Sequence, residues 1–172
     1  MSILTLNSCS EKEIATPKTD NFVYSVDRFA DIEVLRYKVP GFEDLSLKQK
    51  ELIYYLSQAA LEGRDILYDQ NNKYNLSIRK TLEAIYENYK GDRNDKEFLA
   101  LECYLKRVWF SNGIHHHYAT DKFTPEFSES FFETTVRTLP SNTLPIQAYD
   151  NSVENLIAAI KPVIFDSTLY AK

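Results

Sequence analysis

Three apolar stripes at helical spacing constrain this chain more than anything else in it. Leu52, Ile53, Leu56, Ala59 and Ala60 form the first, Ile78, Leu82, Ile85, Tyr86 and Tyr89 the second, and Phe98, Leu101, Leu105, Val108 and Trp109 the third. Residues three and four apart lie on one side of an α-helix, so each stripe predicts an amphipathic helix with its apolar side on a core. The punctuation agrees. Ser46-x-x-Gln49 is a capping box, in which each side chain satisfies a backbone N–H at a helix start, and Gly63 is a natural stop. Gly91 closes the second stripe, and Asp95 is positioned to cap the third. Residues 64–72 read as a second short helix or an irregular turn.

The C-terminal half continues the pattern. Ser128, or Thr124 with Pro125, opens a helix through Phe131, Phe132 and Val136 that ends before Pro140. Residues 141–150 form a loop containing Pro145. Ser152 caps a last helix carrying Leu156, Ile157 and Ile160, which Pro162 kinks or ends. The apolar run at 163–170 has no closing element, the pattern expected of a chain whose partner surface lies elsewhere. Large rings gather at grooves and at contacts between lobes, and 12 Tyr with 10 Phe point the same way.

One segment has strand character. Residues 32–39 alternate, with Leu35, Tyr37 and Val39 on one face, while residues 26–31 fit a strand or a helical turn equally well. Pro40-Gly41 closes the segment. The expected class is therefore mainly α, with one short strand near 32–39. Four glycines and six prolines in 172 residues argue against an all-β or disordered chain. A net charge of −5, with no run of Lys or Arg, argues against nucleic acid as a partner. No stretch is long enough to span a membrane.

Residues 1–21 read as a polar leader. Leu6-Asn7-Ser8-Cys9 has the form of a lipoprotein cleavage site, and Ile3, Leu4 and Leu6 resemble the remnant of an apolar signal. Cys9 is thus a candidate lipidation site, in which case the protein belongs to the cell envelope. Otherwise Cys9 is incidental and the location is cytoplasmic. Cys103 sits in a helical pattern and is expected to be a small buried residue.

The chemistry-bearing residues converge on residues 109–125, Trp-Phe-Ser-Asn-Gly-Ile-His-His-His-Tyr-Ala-Thr-Asp-Lys-Phe-Thr-Pro. This stretch holds the only tryptophan and all three histidines, on a non-helical segment between helices. Such loops are where binding surfaces sit. In an extended segment His115 and His117 would share a face, with Asp121 and Glu126 near in sequence. Two imidazoles do not close a zinc site, which needs four ligands or three plus water. The alternatives are polar rings packed on a loop, or a groove wall that meets a ligand through Tyr118. No nucleophile arrangement, phosphate loop or H-E-x-x-H motif is present. The stretch has the means to bind and no evident means of catalysis.

Three blocks, at residues 22–31, 39–56 and 111–118, resemble the N-terminal region of bacterial dipeptidyl peptidase III, and the likeness extends from Phe22 to Lys172. That family consists of zinc exopeptidases that remove dipeptides from the N-terminus of short peptides. The resemblance implies a bilobed enzyme, in which this chain is the helical N-terminal part (residues 22–172) of the mixed α+β lobe. The family's H-E-x-x-G-H motif and later acidic ligand match no residue here, so zinc would be held outside this chain, in a C-terminal lobe. Ser111-Asn112 and Lys122-Phe-Thr-Pro125 are similar to a family segment that lines the cleft. By that likeness Tyr118, with Asn112, His115, His116 and His117 beside it, would line the pocket for a peptide's N-terminal residue. The rival expectation is a non-catalytic peptide-binding or envelope interaction domain. If the chain is one part of a lobe, apolar faces should stand uncovered on it.

Overall fold

The third stripe forms the axis of the core. In a computed structural model that describes residues 21–171, helix α4 (Lys96–Ser111) buries Phe98, Leu101, Tyr104, Leu105 and Val108. Asp95 caps it, accepting the Glu97 N–H at 2.8 Å. Against it lies α3 (Asn75–Asn88), which turns Ile78, Leu82, Ala84 and Ile85 inward. The Phe98 ring stacks between Tyr86 at 6.0 Å and Tyr89 at 4.8 Å between centroids, locking these two helices together. Tyr86 and Tyr89 are half-buried, and Trp109 sits at the rim of the core, its indole N–H donating to Glu83 at 2.8 Å. Cys103 is likewise half-buried rather than buried. The second stripe stops before the expected glycine, because α3 ends at Asn88 and Tyr89 forms its C-cap.

Two further helices close the body. Ser128, not Thr124 with Pro125, caps α5 (Glu129–Thr138), which buries Phe132 and Val136. Two short 3-10 turns, Ser141–Thr143 and Ile146–Tyr149, lead to α6 (Val153–Phe165), which Ser152 caps. Pro162 does not end this helix, which continues through Val163 and Ile164 into the core. The apolar run at 163–170 is thereby partly covered. Arg137 joins α5 to α6 through Glu154 at 2.9 Å, and Lys161 joins them through Glu133 at 2.7 Å.

The N-terminal unit is different. Residues 26–31 belong to a hairpin rather than a helical turn: β1 (Ser25–Phe29) pairs antiparallel with β2 (Ile32–Leu35), and a bulge lies between Ser25 and Asp27. The strand expected over 32–39 therefore ends at Leu35, and Tyr37 and Val39 stand exposed. The hairpin is tied to α4 by Asp27–Lys106 at 2.9 Å and Asp31–Arg107 at 2.8 Å. Both carboxyl groups are held below the usual carboxylate range, chiefly by hydrogen bonds from those two cations.

Helix α1 (Leu47–Glu62) has the predicted capping box, with Ser46 and Gln49 bonded reciprocally, and Gly63 as its C-cap. The short α2 (Arg64–Asn71) follows and buries Tyr68. The reading of the first stripe as a core face is overturned: no residue of α1 is buried. Leu52 is 58% exposed, Leu56 60% and Tyr55 68%. At about 3.6 residues per turn, Leu52, Ile53, Leu56, Ala59 and Ala60 gather on one side. Leu47, Tyr54 and Leu61 fall on the opposite side, and both sides are open. A helix apolar on opposed faces belongs in an interior. Uncovered apolar surface is thus present on this unit.

Candidate functional site

The histidine loop begins where α4 runs out of partners for its carbonyls. Asn112 adopts the left-handed conformation at φ 52°, and Gly113 follows at φ 152°, its N–H on the Val108 carbonyl at 3.0 Å. A side chain at Gly113 would be strained by that φ and blocked by its neighbour, since a Cβ there would lie 2.2 Å from Asn75 Nδ2. The chain then doubles back. Phe123 N–H donates to the Ile114 carbonyl at 2.8 Å, His116 N–H donates to the Asp121 carbonyl at 2.7 Å, and His115 bridges Lys122. Buried Ile114, Phe123 and Phe127 pin the base of this turn to the core.

The three histidines have three different situations. His115 is buried, and its Nε2 meets the Tyr170 carbonyl at 2.8 Å. A carbonyl only accepts, so Nε2 carries the hydrogen. His116 is half-buried, and its Nδ1 accepts the Tyr118 and Ala119 N–H groups at 3.2 and 3.0 Å, which places its hydrogen on Nε2. His117 is exposed, 4.4 Å from the His116 ring, with the Phe110 ring edge-on at 4.9 Å. His115 and His117 thus differ in burial, one inside and one in solvent. Among the described residues, no group of three or more His, Cys, Asp or Glu is placed to hold a metal ion.

Tyr118 stands at the tip with 86% of its surface exposed, its ring 4.2 Å from His117. Phe110, His117 and Tyr118 make a short aromatic wall. The loop that carries this wall is tied through His115 and Lys122 to residues 166–170. Lys122 Nζ donates to the Asp166 carbonyl and, at 3.0 Å, to the Leu169 carbonyl. Burial pushes the Lys122 ammonium below its ordinary range. Tyr170 packs edge-on to Tyr74 at 5.8 Å.

Two hollows flank the loop. One, of about 140 Å³, is lined by Asn71, Asn75, Asn112, Gly113, the three histidines and Thr120. It brings together four of the five predicted site residues, Asn112 and His115 to His117, and leaves Tyr118 outside. The other, of about 650 Å³, is an open groove with both signs of charge, where Asp31, Asp121 and Glu126 face Arg107 and Lys122. Sequence reasoning named neither Asn75 nor the Asp31–Arg107 pair. Asn75 had a visible signal: it lies three residues before Ile78, on the second stripe, where a polar residue is out of place. The pair had none, since 76 residues separate its members.

Compared with protein-family models and with curated proteins, the chain matches none. Among the described residues no helix is long and apolar enough to cross a membrane. Cys9 lies outside the described residues.

Proposed function

We propose that this chain is the N-terminal piece of a zinc-dependent dipeptidyl peptidase of the dipeptidyl peptidase III type, and that it supplies cleft wall and lobe scaffold. The observation that carries the reading is the frame from Ser111 to Pro125, which resembles that family's cleft segment and here holds an exposed ring on a braced turn. Tyr118 is free to pack against a peptide side chain, and neutral polar groups beside it are suited to the peptide backbone. Helix α1, apolar on opposed faces and covered on neither, supports a body that extends beyond these residues. Its partners would be the zinc lobe and short peptides. In such an enzyme zinc would be held outside this chain and would supply polarisation of the scissile carbonyl and activation of water. The part played by this chain is to bind and orient, and closure of the lobes over it would exclude water.

The coding sequence beyond Lys172 tests the proposal. An open frame encoding H-E-x-x-G-H supports it, whereas a stop codon there supports a peptide-binding domain without catalysis. In the longer product, Tyr118→Ala should lower kcat/KM for dipeptide release by about tenfold, the loss of roughly 1.4 kcal/mol of ring contact. Zinc content should stay unchanged. Unaltered kinetics would remove Tyr118 from the pocket.

A further inference from the structure

Against the smaller hollow beside the histidine loop lies a buried hydrogen-bond donor that the fold does not use. Asn75 is completely buried, and its Oδ1 accepts the Ile114 N–H at 3.2 Å. Its Nδ2 is buried with no partner among the described residues. Leaving a buried amide unpaired is costly, so its retention calls for a reason. The space around it is kept by glycine, since any side chain at Gly113 would run into the amide.

The adjoining cavity, of about 140 Å³, has room for a group the size of an acetamide, or for several waters at about 30 Å³ each. Its described lining consists of amides, imidazoles and one hydroxyl, with no carboxylate, lysine or arginine. An ammonium would find no countercharge there. Two of the donors are already engaged, Asn71 Nδ2 by the Asn112 carbonyl and His115 Nε2 by the Tyr170 carbonyl. Asn75 Nδ2 remains, and His116 and Thr120 line the same hollow. The buried group left unpaired is a donor, and it calls for an oxygen acceptor.

We propose that this cavity binds a carbonyl-type oxygen of a ligand, that Asn75 Nδ2 is its buried donor, and that a peptide main-chain carbonyl is the natural occupant. The choice of a peptide rests on the function proposed above. The need for an acceptor oxygen does not.

Amide-correlation NMR of the nitrogen-labelled chain tests this with three probes: N-acetylglycinamide as a neutral carbonyl, acetate as a carboxylate and butylamine as a cation. Saturable shifts of the Asn75 side-chain amide and the Gly113 N–H with N-acetylglycinamide, and none with butylamine, are expected. Asn75→Asp keeps the acceptor for Ile114 but puts an oxygen in place of Nδ2, and should weaken binding at least tenfold. Should that variant fail to fold, the wild-type titration decides alone. Shifts with acetate only would keep the oxygen site and overturn the peptide as its occupant. Stationary Asn75 and Gly113 signals with every probe would overturn the site. A longer peptide that binds through Tyr118 while those signals stay fixed would also overturn it, leaving the function proposed above intact.

Discussion

Helices α1 and α4 are each sixteen residues long and both begin on a side-chain cap, yet α4 is the axis of the core and α1 buries nothing. The difference lies in how their apolar residues are distributed. In α4 the residues Phe98, Leu101, Leu105 and Val108 lie on one side and meet α3 and its neighbours. In α1 the apolar residues divide between two opposed sides, and among the described residues it packs chiefly against the short α2. A cap and a stripe specify that a segment is helical. They do not say whether its partner is part of the same body.

The contrast breaks down most easily at the largest expected effect. Leu105→Ala should cost about 2–5 kcal/mol, because it empties part of a closed core. Leu56→Ala should change the stability of this chain by less than about 0.5 kcal/mol, since that side chain is already in water. Urea unfolding of both variants measures this, and similar losses would mean that α1 is covered in solution.

Caps give a smaller effect with the same logic. Ser46→Ala and Asp95→Ala each remove an N-cap worth about 1 kcal/mol. In hydrogen exchange the first should loosen α1 alone, and the second should lower protection across the whole core. A global loss from Ser46→Ala would show that the two regions unfold as one.

The weakest effect is the pH dependence of the hairpin's attachment. Asp27 and Asp31 have folded pKa values below their unfolded ones, because Lys106 and Arg107 bond to their charged forms. Their contribution is therefore complete above about pH 4 and is lost as pH falls through the depressed values. Exchange of the β1 and β2 amides should rise in acid before that of α4 does. Salt should reduce the difference, since Asp31 is exposed and Asp27 only half-buried. A hairpin that loosens together with α4 would contradict the attachment drawn here.

Much of the helical body was legible beforehand because local chemistry wrote it. Ser46, Asp95 and Ser152 cap as their side chains require, and the stripe residues Ile78, Leu82, Leu101 and Leu105 are buried. The hairpin was half legible, since alternation marked 32–35 but left 26–31 ambiguous until pairing supplied the answer. The fate of α1 was not legible at all, because exposure depends on what lies beside a helix. At the loop, residue types marked the right stretch, but Asn75 and Tyr170 reach it from distant parts of the chain. A polar residue on a core stripe calls for a task, and that signal points to Asn75.

The most direct measurement is zinc-dependent release of dipeptides by the polypeptide encoded by the whole reading frame, run beside the 172-residue chain alone. The account predicts release by the longer product, abolished by chelation and restored by zinc, and none from the shorter chain. Dipeptide release by the 172 residues alone, or none from the whole product with zinc present, would contradict it.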